Sequence, residues 1–208
     1  ISLDALDNQL YHKITGGDLN EVLRGIRTAI SAGFEMIKLN CVLMKDVNEN
    51  QIIPLIQFAS EHGLPLRLIE LMPITSANFT NEKFLSIFDA MKIISQHDEL
   101  ISIEEHNFGW GPSKYYRLKK SGAIVGFIGA MTRPHFCETC NKMRLTSDGK
   151  LRPCLGHNGE INLYPIVKNN GSENALRDSI LTAMRSKPLQ HHFHQDYTPQ
   201  RPMTAIGG

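Results

Sequence analysis

The 208-residue sequence lacks any strong bias of charge. Its 22 lysines and arginines nearly cancel 21 aspartates and glutamates, leaving a formal net charge of +1. That excludes a global electrostatic pull toward nucleic acid or an anionic membrane, so any anion preference must come from local clustering. No apolar run approaches the length needed to cross a bilayer, which excludes a membrane-spanning reading. No glycine-rich phosphate loop stands out, because VGFIGA has neither the spacing nor the context of one. No Ser-His-Asp arrangement can be picked out, and there is no internal repeat. The opening ISLDALD has neither an initiator methionine nor the basic, apolar pattern of a signal segment. It reads as a strand entered midway through something longer. Cysteine is scarce, with four in the chain, and three of them fall in HFCETCNKMRLTSDGKLRPCLGH, residues 135–157. This is a poor disulfide framework and a good metal framework, with a reducing cytosol as the natural compartment.

What is present is an alternation of elements. Residues 19–32 place Leu19, Val22, Leu23, Ile26, Ala29 and Ile30 on one helical face, with Gly33 able to close the helix. EMIKLNCVLM follows as a strand. A helix over Gln51 to Glu61 can be capped by Asn48 or Asn50, provided Pro54 lies in its first turn. PLRLIELM is the next strand. Thr80 can cap NEKFLSIFDAMKIISQ, where Phe84, Ile87, Phe88, Met91 and Ile94 recur at helical spacing. This rhythm predicts an α/β core over residues 1–98, a parallel sheet with outer helices, either barrel or open. Lys38, Asn40, Arg67 and Glu70 interrupt otherwise apolar strands, and such groups either line a site or pair with one another. Residues 99–208 predict an added α+β extension: short, antiparallel strands at ISIEEH, KYYRLKK and AIVGFIGAM, a hairpin through Asp148-Gly149, and a last helix from Glu173 to Arg185 capped by Ser172.

Cys137 and Cys140 form a CxxC pair, and thirteen residues separate Cys140 from Cys154. A CxxC loop turns two thiolates toward one ion, and the hairpin can return the third. Zinc wants four ligands, and His157, or alternatively His135, offers the fourth. An iron–sulfur cube held by three cysteines leaves one iron open for substrate. Spacing leaves both readings standing. Lys142, Arg144 and Arg152 lie close in sequence to these thiols, where cations offset thiolate charge or hold phosphates. Cys41, inside an apolar strand, reads as a buried small hydrophobe. His191 and His192 read as surface or packing residues.

Specific stretches then resemble a known family. FCETCNKMRLTSDGKLRPCL is similar to the cluster segment of the molybdenum cofactor biosynthesis protein A family, radical S-adenosylmethionine (SAM) enzymes that act as GTP 3',8-cyclases. ISLDALDNQLYHKITG, IKLNCVLMKDVNENQI, LRLIELMP, GPSKYYRL and the terminal IGG resemble family stretches in the same order. The resemblance implies the C-terminal part of an incomplete (βα)6 radical-SAM, TIM-like barrel, with a C-terminal extension bearing a metal cluster. It implies that Cys137, Cys140 and Cys154 hold a [4Fe–4S] cluster whose open iron meets guanine. Lys142, Arg144, Lys38 and Arg67 would grip GTP, and Asn40, Met72 and Ser2 would contact SAM. Gly207 and Gly208 resemble the double glycine that reaches the family's active site, where a tail without side chains threads a crowded pocket.

The family cuts SAM with a first [4Fe–4S] cluster held by CxxxCxxC, and that motif is absent here. The resemblance therefore implies either that an N-terminal barrel portion, in the same or a separate chain, supplies it, or that the chain is a natural truncation that has lost the chemistry. This chain alone is expected to be inactive. Lys142 stands where the family usually has arginine, keeping the charge but losing the bidentate fork. A homodimer, a cytoplasmic location and a downstream enzyme that builds the pyranopterin are further expectations from the resemblance.

Overall fold

Asp7, Asp18, Ser86 and Ser172 each place a side-chain oxygen on a backbone N–H at the start of a helix, which fixes four of the six α-helices among the described residues locally. A computed structural model describes residues 1–74, 81–104, 108–109, 111–193 and 197–206. The helices are α1 (Asn8–Thr15), α2 (Leu19–Ser31), α3 (Ile52–Glu61), α4 (Ile87–Ser95), α5 (Tyr164–Lys168) and α6 (Glu173–Arg185). The strands are β1 (Leu39–Leu43), β2 (Leu66–Glu70), β3 (Leu100–Ile103), β4 (Lys114–Leu118), β5 (Ile124–Ile128), β6 (Arg144–Leu145), β7 (Lys150–Arg152) and β8 (Ile161–Asn162).

The chain divides into two compact units, Ile1–Leu71 with Thr80–Pro134, and Met72–Phe79 with His135–Gly208. In the first, a five-stranded mixed sheet has the order β1-β2-β5-β4-β3. β1, β2 and β5 run parallel, while β4 is antiparallel to both β5 and β3. The short strands predicted after residue 98 thus form two antiparallel pairs, and β5 also takes a parallel partner. Ser2 bridges Asn40 in parallel, so the opening residues are strand-like as read from ISLDALD. The architecture is mixed α/β with an open sheet. Its core joins Leu39, Cys41 and Leu43 of β1, Leu66 and Leu68 of β2, and Val125 and Phe127 of β5 with Leu55 of α3 and Ile94 of α4. Burying side chains of this size contributes about 1.5–3 kcal/mol each.

Several expectations change in detail. β1 begins only at Leu39, and Phe34 and Met36 are exposed, so Lys38 precedes the strand. Residues 81–96 do not form one helix. Asn81–Lys83 makes a 3₁₀ turn, Phe84 is drawn into a bridge with Met44, and Ser86 caps a shorter α4. Phe88 consequently lies on an exposed face, and near the end of α2 Ile30 is exposed as well. Thr80, the expected cap, lies outside the described residues. Asn48 caps nothing with its side chain. It is buried, accepting from Met44 N–H and donating to the carbonyls of Asp4 and Val42. Pro54 does fall in the first turn of α3.

The second unit holds a three-stranded antiparallel sheet, β6-β7-β8, against which α6 packs. The Asp148-Gly149 turn joins β6 to β7 as predicted. Gly149 has φ 77°, and a Cβ there would meet Tyr164 Cβ at 2.9 Å, so both conformation and space require glycine.

Candidate functional site

In the first unit the polar strand residues separate into two groups. Asn40 and Arg67 stand opposite each other on β1 and β2, and Arg67 Nε donates to Asn40 Oδ1 at 2.7 Å. Gly126 of β5 extends this register beside Arg67, and Tyr115 of β4 stands beside Gly126. A Cβ at Gly126 would come within 2.7 Å of the Tyr115 ring, so the glycine lets that ring lie across the sheet. Lys38, two residues before Asn40, donates from Nζ to the Phe108 carbonyl. Ser2 is an exposed residue beside Asn40.

Glu70 belongs elsewhere. It is fully buried at the carboxyl end of β2, and its carboxylate accepts from Ile87 N–H at 3.0 Å, Met131 N–H at 2.7 Å, Thr132 N–H at 3.1 Å and the Thr132 hydroxyl. It fastens the start of α4 to the segment following β5. Cys41 is buried as expected, and burial, then the nearby Asp4, pushes its thiol well above its ordinary value.

In the second unit, Cys137 opens a 3₁₀ turn, Cys137–Thr139, whose cap is Cys140. The Cys140 N–H donates to the Cys137 carbonyl at 3.1 Å, the local result of the CxxC spacing. All three cysteines of this unit are free and half-buried. The Cys154 thiol is raised first by burial, and further by the charges of Cys137 and Cys140. Among the described residues, no group of three or more histidines, cysteines, aspartates or glutamates is already disposed to hold a metal ion. The donors around the sulfurs nevertheless suit a thiolate-held cluster. His191 N–H donates to Cys137 Sγ at 3.4 Å, Lys187 Nζ to Cys140 Sγ at 3.8 Å, and Gly156 N–H to Cys154. Such bonds stabilise thiolates and tune iron–sulfur centres.

The candidate fourth ligands are engaged differently. His157 Nδ1 accepts from Gly159 N–H at 3.0 Å, and its ring meets the edge of His192 at 5.2 Å between centroids. His135, in the left-handed region at φ 60°, pairs with Glu138 at 2.7 Å on the surface. The His191 ring packs with Phe136 and Phe193, as read from the sequence, and its backbone N–H donates to Cys137 Sγ.

Arg144 of β6 is half-buried. Burial, then the neighbouring Arg152, lowers its pKa, and the negative charge of Cys140 opposes them. Lys142 is exposed, and its carbonyl accepts from Lys187. Arg152, expected to offset thiolates or hold phosphate, is instead only 1% exposed. It donates to the Cys154 and Leu155 carbonyls, Asn158, Glu160 and, at 2.6 Å, the Tyr197 hydroxyl. Arg201 forks onto both carboxylate oxygens of Asp148 and also reaches Glu160. These contacts hold the C-terminal segment against the hairpin, and Ile206 is fully buried. Gly207 and Gly208 lie outside the described residues. Met72 is half-buried, and its carbonyl accepts from Ile74 N–H. The thiol site was legible as CxxC with a third cysteine. Lys187 was not legible in this role because its contacts lie 45 and 47 residues away, and Arg152 because the turn after β7 and the distant Tyr197 together enclose it.

A mixed α/β unit followed by a hairpin unit bearing three free cysteines defines a class of protein that combines an α/β scaffold with a thiol-rich segment. Residues 64–193 match Molybdenum Cofactor Synthesis C, and the chain belongs to that family. It is 36% identical over 210 residues to a GTP 3',8-cyclase of Pelotomaculum thermopropionicum, covering 100% of this chain and 64% of that relative. A GTP 3',8-cyclase of Saccharophagus degradans is 36% identical over 214 residues, with the same coverage. One from Pseudomonas entomophila is 37% identical over 198 residues, covering 93% of this chain and 58% of the relative. The chain thus spans less than two thirds of the length of these curated relatives.

Proposed function

We propose that this chain is the GTP-binding, cluster-bearing part of a GTP 3',8-cyclase of molybdenum cofactor biosynthesis, an enzyme that converts GTP to (8S)-3',8-cyclo-7,8-dihydroguanosine 5'-triphosphate. The observation that carries this reading is the CxxC segment with its third cysteine, in a chain that matches the family over residues 64–193, where His191 N–H donates to Cys137 Sγ and Lys187 Nζ to Cys140 Sγ. Cys137, Cys140 and Cys154 would hold a [4Fe–4S] cluster. When bound, that cluster would supply an open iron position to the guanine base, while SAM and a first cluster held by residues outside this chain would supply the radical. The chain's own side chains would bind and orient, with Lys38, Arg67, Lys142 and Arg144 as the GTP-binding cations. Arg67 is already oriented by Asn40, which lowers the entropy lost when it grips a phosphate.

In this reading Asn40, Met72 and Ser2 contact SAM, and Gly207 and Gly208 thread the substrate pocket. The parallel strands β1 and β2, joined through α3, support assignment to an incomplete (βα)6 barrel completed by a further N-terminal portion. Among the described residues no helix is long and apolar enough to cross a membrane. A cytoplasmic homodimer that passes its product to a pyranopterin-forming enzyme completes the proposal. Holding a substrate rigidly matters because reacting atoms fixed close together lose the entropic part of their barrier.

The test is the iron, sulfide and zinc content of the chain prepared without oxygen, with Cys154→Ser and His157→Ala alongside. The expected result is about four irons and four sulfides, as for a [4Fe–4S] cluster, lost in Cys154→Ser and kept in His157→Ala. One zinc without sulfide, lost in His157→Ala, would overturn the assignment in favour of a zinc-stabilised binding module.

A further inference from the structure

Lys187 lies two residues beyond the end of α6, and no pattern in the sequence connects it to the cysteines. Its backbone N–H donates to the Met184 carbonyl, continuing the helix end. Its Nζ reaches back across 47 residues to Cys140 Sγ at 3.8 Å and across 45 residues to the Lys142 carbonyl at 2.5 Å. Its charge also acts favourably on the Cys154 thiolate. Among the described residues, Cys137 accepts from the backbone N–H of His191 and Cys154 from that of Gly156, whereas Cys140 Sγ faces the Lys187 ammonium. One side chain therefore touches a sulfur of the thiol site and the backbone of the residue bearing a substrate-binding cation.

We infer that Lys187 is a positioning residue that sets the charge balance, and with it the reduction potential, of the cluster held by Cys137, Cys140 and Cys154. This inference rests on the function proposed above. Three thiolates concentrate negative charge, and each electron added to the cluster concentrates more. An ammonium in contact with one sulfur favours the reduced form, so its removal moves the potential downward. The bond to the Lys142 carbonyl gives the same group a second effect, because it fixes the backbone from which the Lys142 side chain extends.

The experiment uses the full chain, reconstituted without oxygen with ferrous iron and sulfide. Wild type, Lys187→Met and Lys187→Arg are compared by iron and sulfide content, by electron paramagnetic resonance and by dye-mediated titration with dithionite as electron donor. Lys187→Met keeps the stem and loses the charge, while Lys187→Arg keeps the charge. Wild type and Lys187→Arg should reduce at similar potentials, and Lys187→Met at a lower one. Loss of iron in Lys187→Met, with iron kept in Lys187→Arg, would equally support a required charge. An iron-loaded Lys187→Met with wild-type potential overturns the inference alone. So does a Lys187→Arg chain that shifts, or loses iron, as much as Lys187→Met. A wild type that takes up no iron and sulfide overturns the proposed function and this inference with it.

Discussion

Glu70→Gln is the most informative perturbation of the α/β scaffold, because it removes charge at constant shape. The carboxylate accepts three backbone N–H groups and one hydroxyl with no water-facing surface. A hydrogen bond to a charged group contributes about 1.5–3 kcal/mol. Four such terms cannot simply be added, since burying the carboxylate itself costs several kcal/mol. The amide of glutamine can accept at one oxygen but presents N–H donors at the other position. Either Ile87 N–H or the Met131 and Thr132 N–H groups would then face a donor. Leaving one or two buried donors unsatisfied costs about 1–3 kcal/mol each, so we expect a loss of about 2–5 kcal/mol. For a chain of this size each kcal/mol shifts the melting temperature by about 2–4 °C, which gives a fall of roughly 10 °C. Differential scanning calorimetry measures it, and hydrogen exchange at Ile87, Met131 and Thr132 reports whether the loss is local to the lock. A Glu70→Gln chain that melts within about 2 °C of wild type, with those three amides still protected, would refute the reasoning.

Two further outcomes follow from other sites. Asp148 is held below the usual carboxylate range by the Arg201 fork and the Thr146 hydroxyl. A depressed folded-state pKa contributes stability above the unfolded value, about 3.9, and loses it as pH falls below that value. Anchoring of residues 197–206 should therefore be unchanged from neutral pH to about pH 5 and should weaken below about pH 4, as followed by hydrogen exchange. Weakening already near pH 6 would point to a histidine instead. Arg144→Ala should weaken GTP binding by about 10- to 100-fold, the equivalent of one charge-assisted contact. Isothermal titration to the iron-loaded chain would measure this, and unchanged affinity would remove Arg144 from the substrate contacts.

Some of this protein was readable locally. α2 and α6 carry their own instructions: apolar residues at helical spacing, an N-cap at Asp18 or Ser172, and in α2 a left-handed Gly33 just past the end. The hairpin at Asp148-Gly149 and the CxxC turn were legible for the same reason, since a few adjacent residues determine them. The stretch 81–96 misled because two local signals compete there. Ser86 is as good a cap as an earlier residue, and the bridge from Phe84 to Met44 lies outside any helical pattern.

The side chains of Asn48, Arg152 and Lys187 show where local reading ends. An asparagine before a helix suggests a cap, but Asn48 is committed to backbone groups of Asp4, Val42 and Met44. A cation beside cysteines suggests phosphate or thiolate, and Arg152 is such a cation. Yet five partners, one of them 45 residues away at Tyr197, claim it for the interior. By itself, the sequence determined which residues could form helices and turns, that three thiols lie close along the chain, and that cations accompany them. Only the tertiary structure decided that Asn40 orients Arg67, that Glu70 is a buried lock, and that Lys187 faces Cys140. The physical reason is range: propensity, capping and spacing act over a few residues, whereas each of these bonds closes a loop of at least 17 residues and exists only once the sheet or helix at its far end has packed.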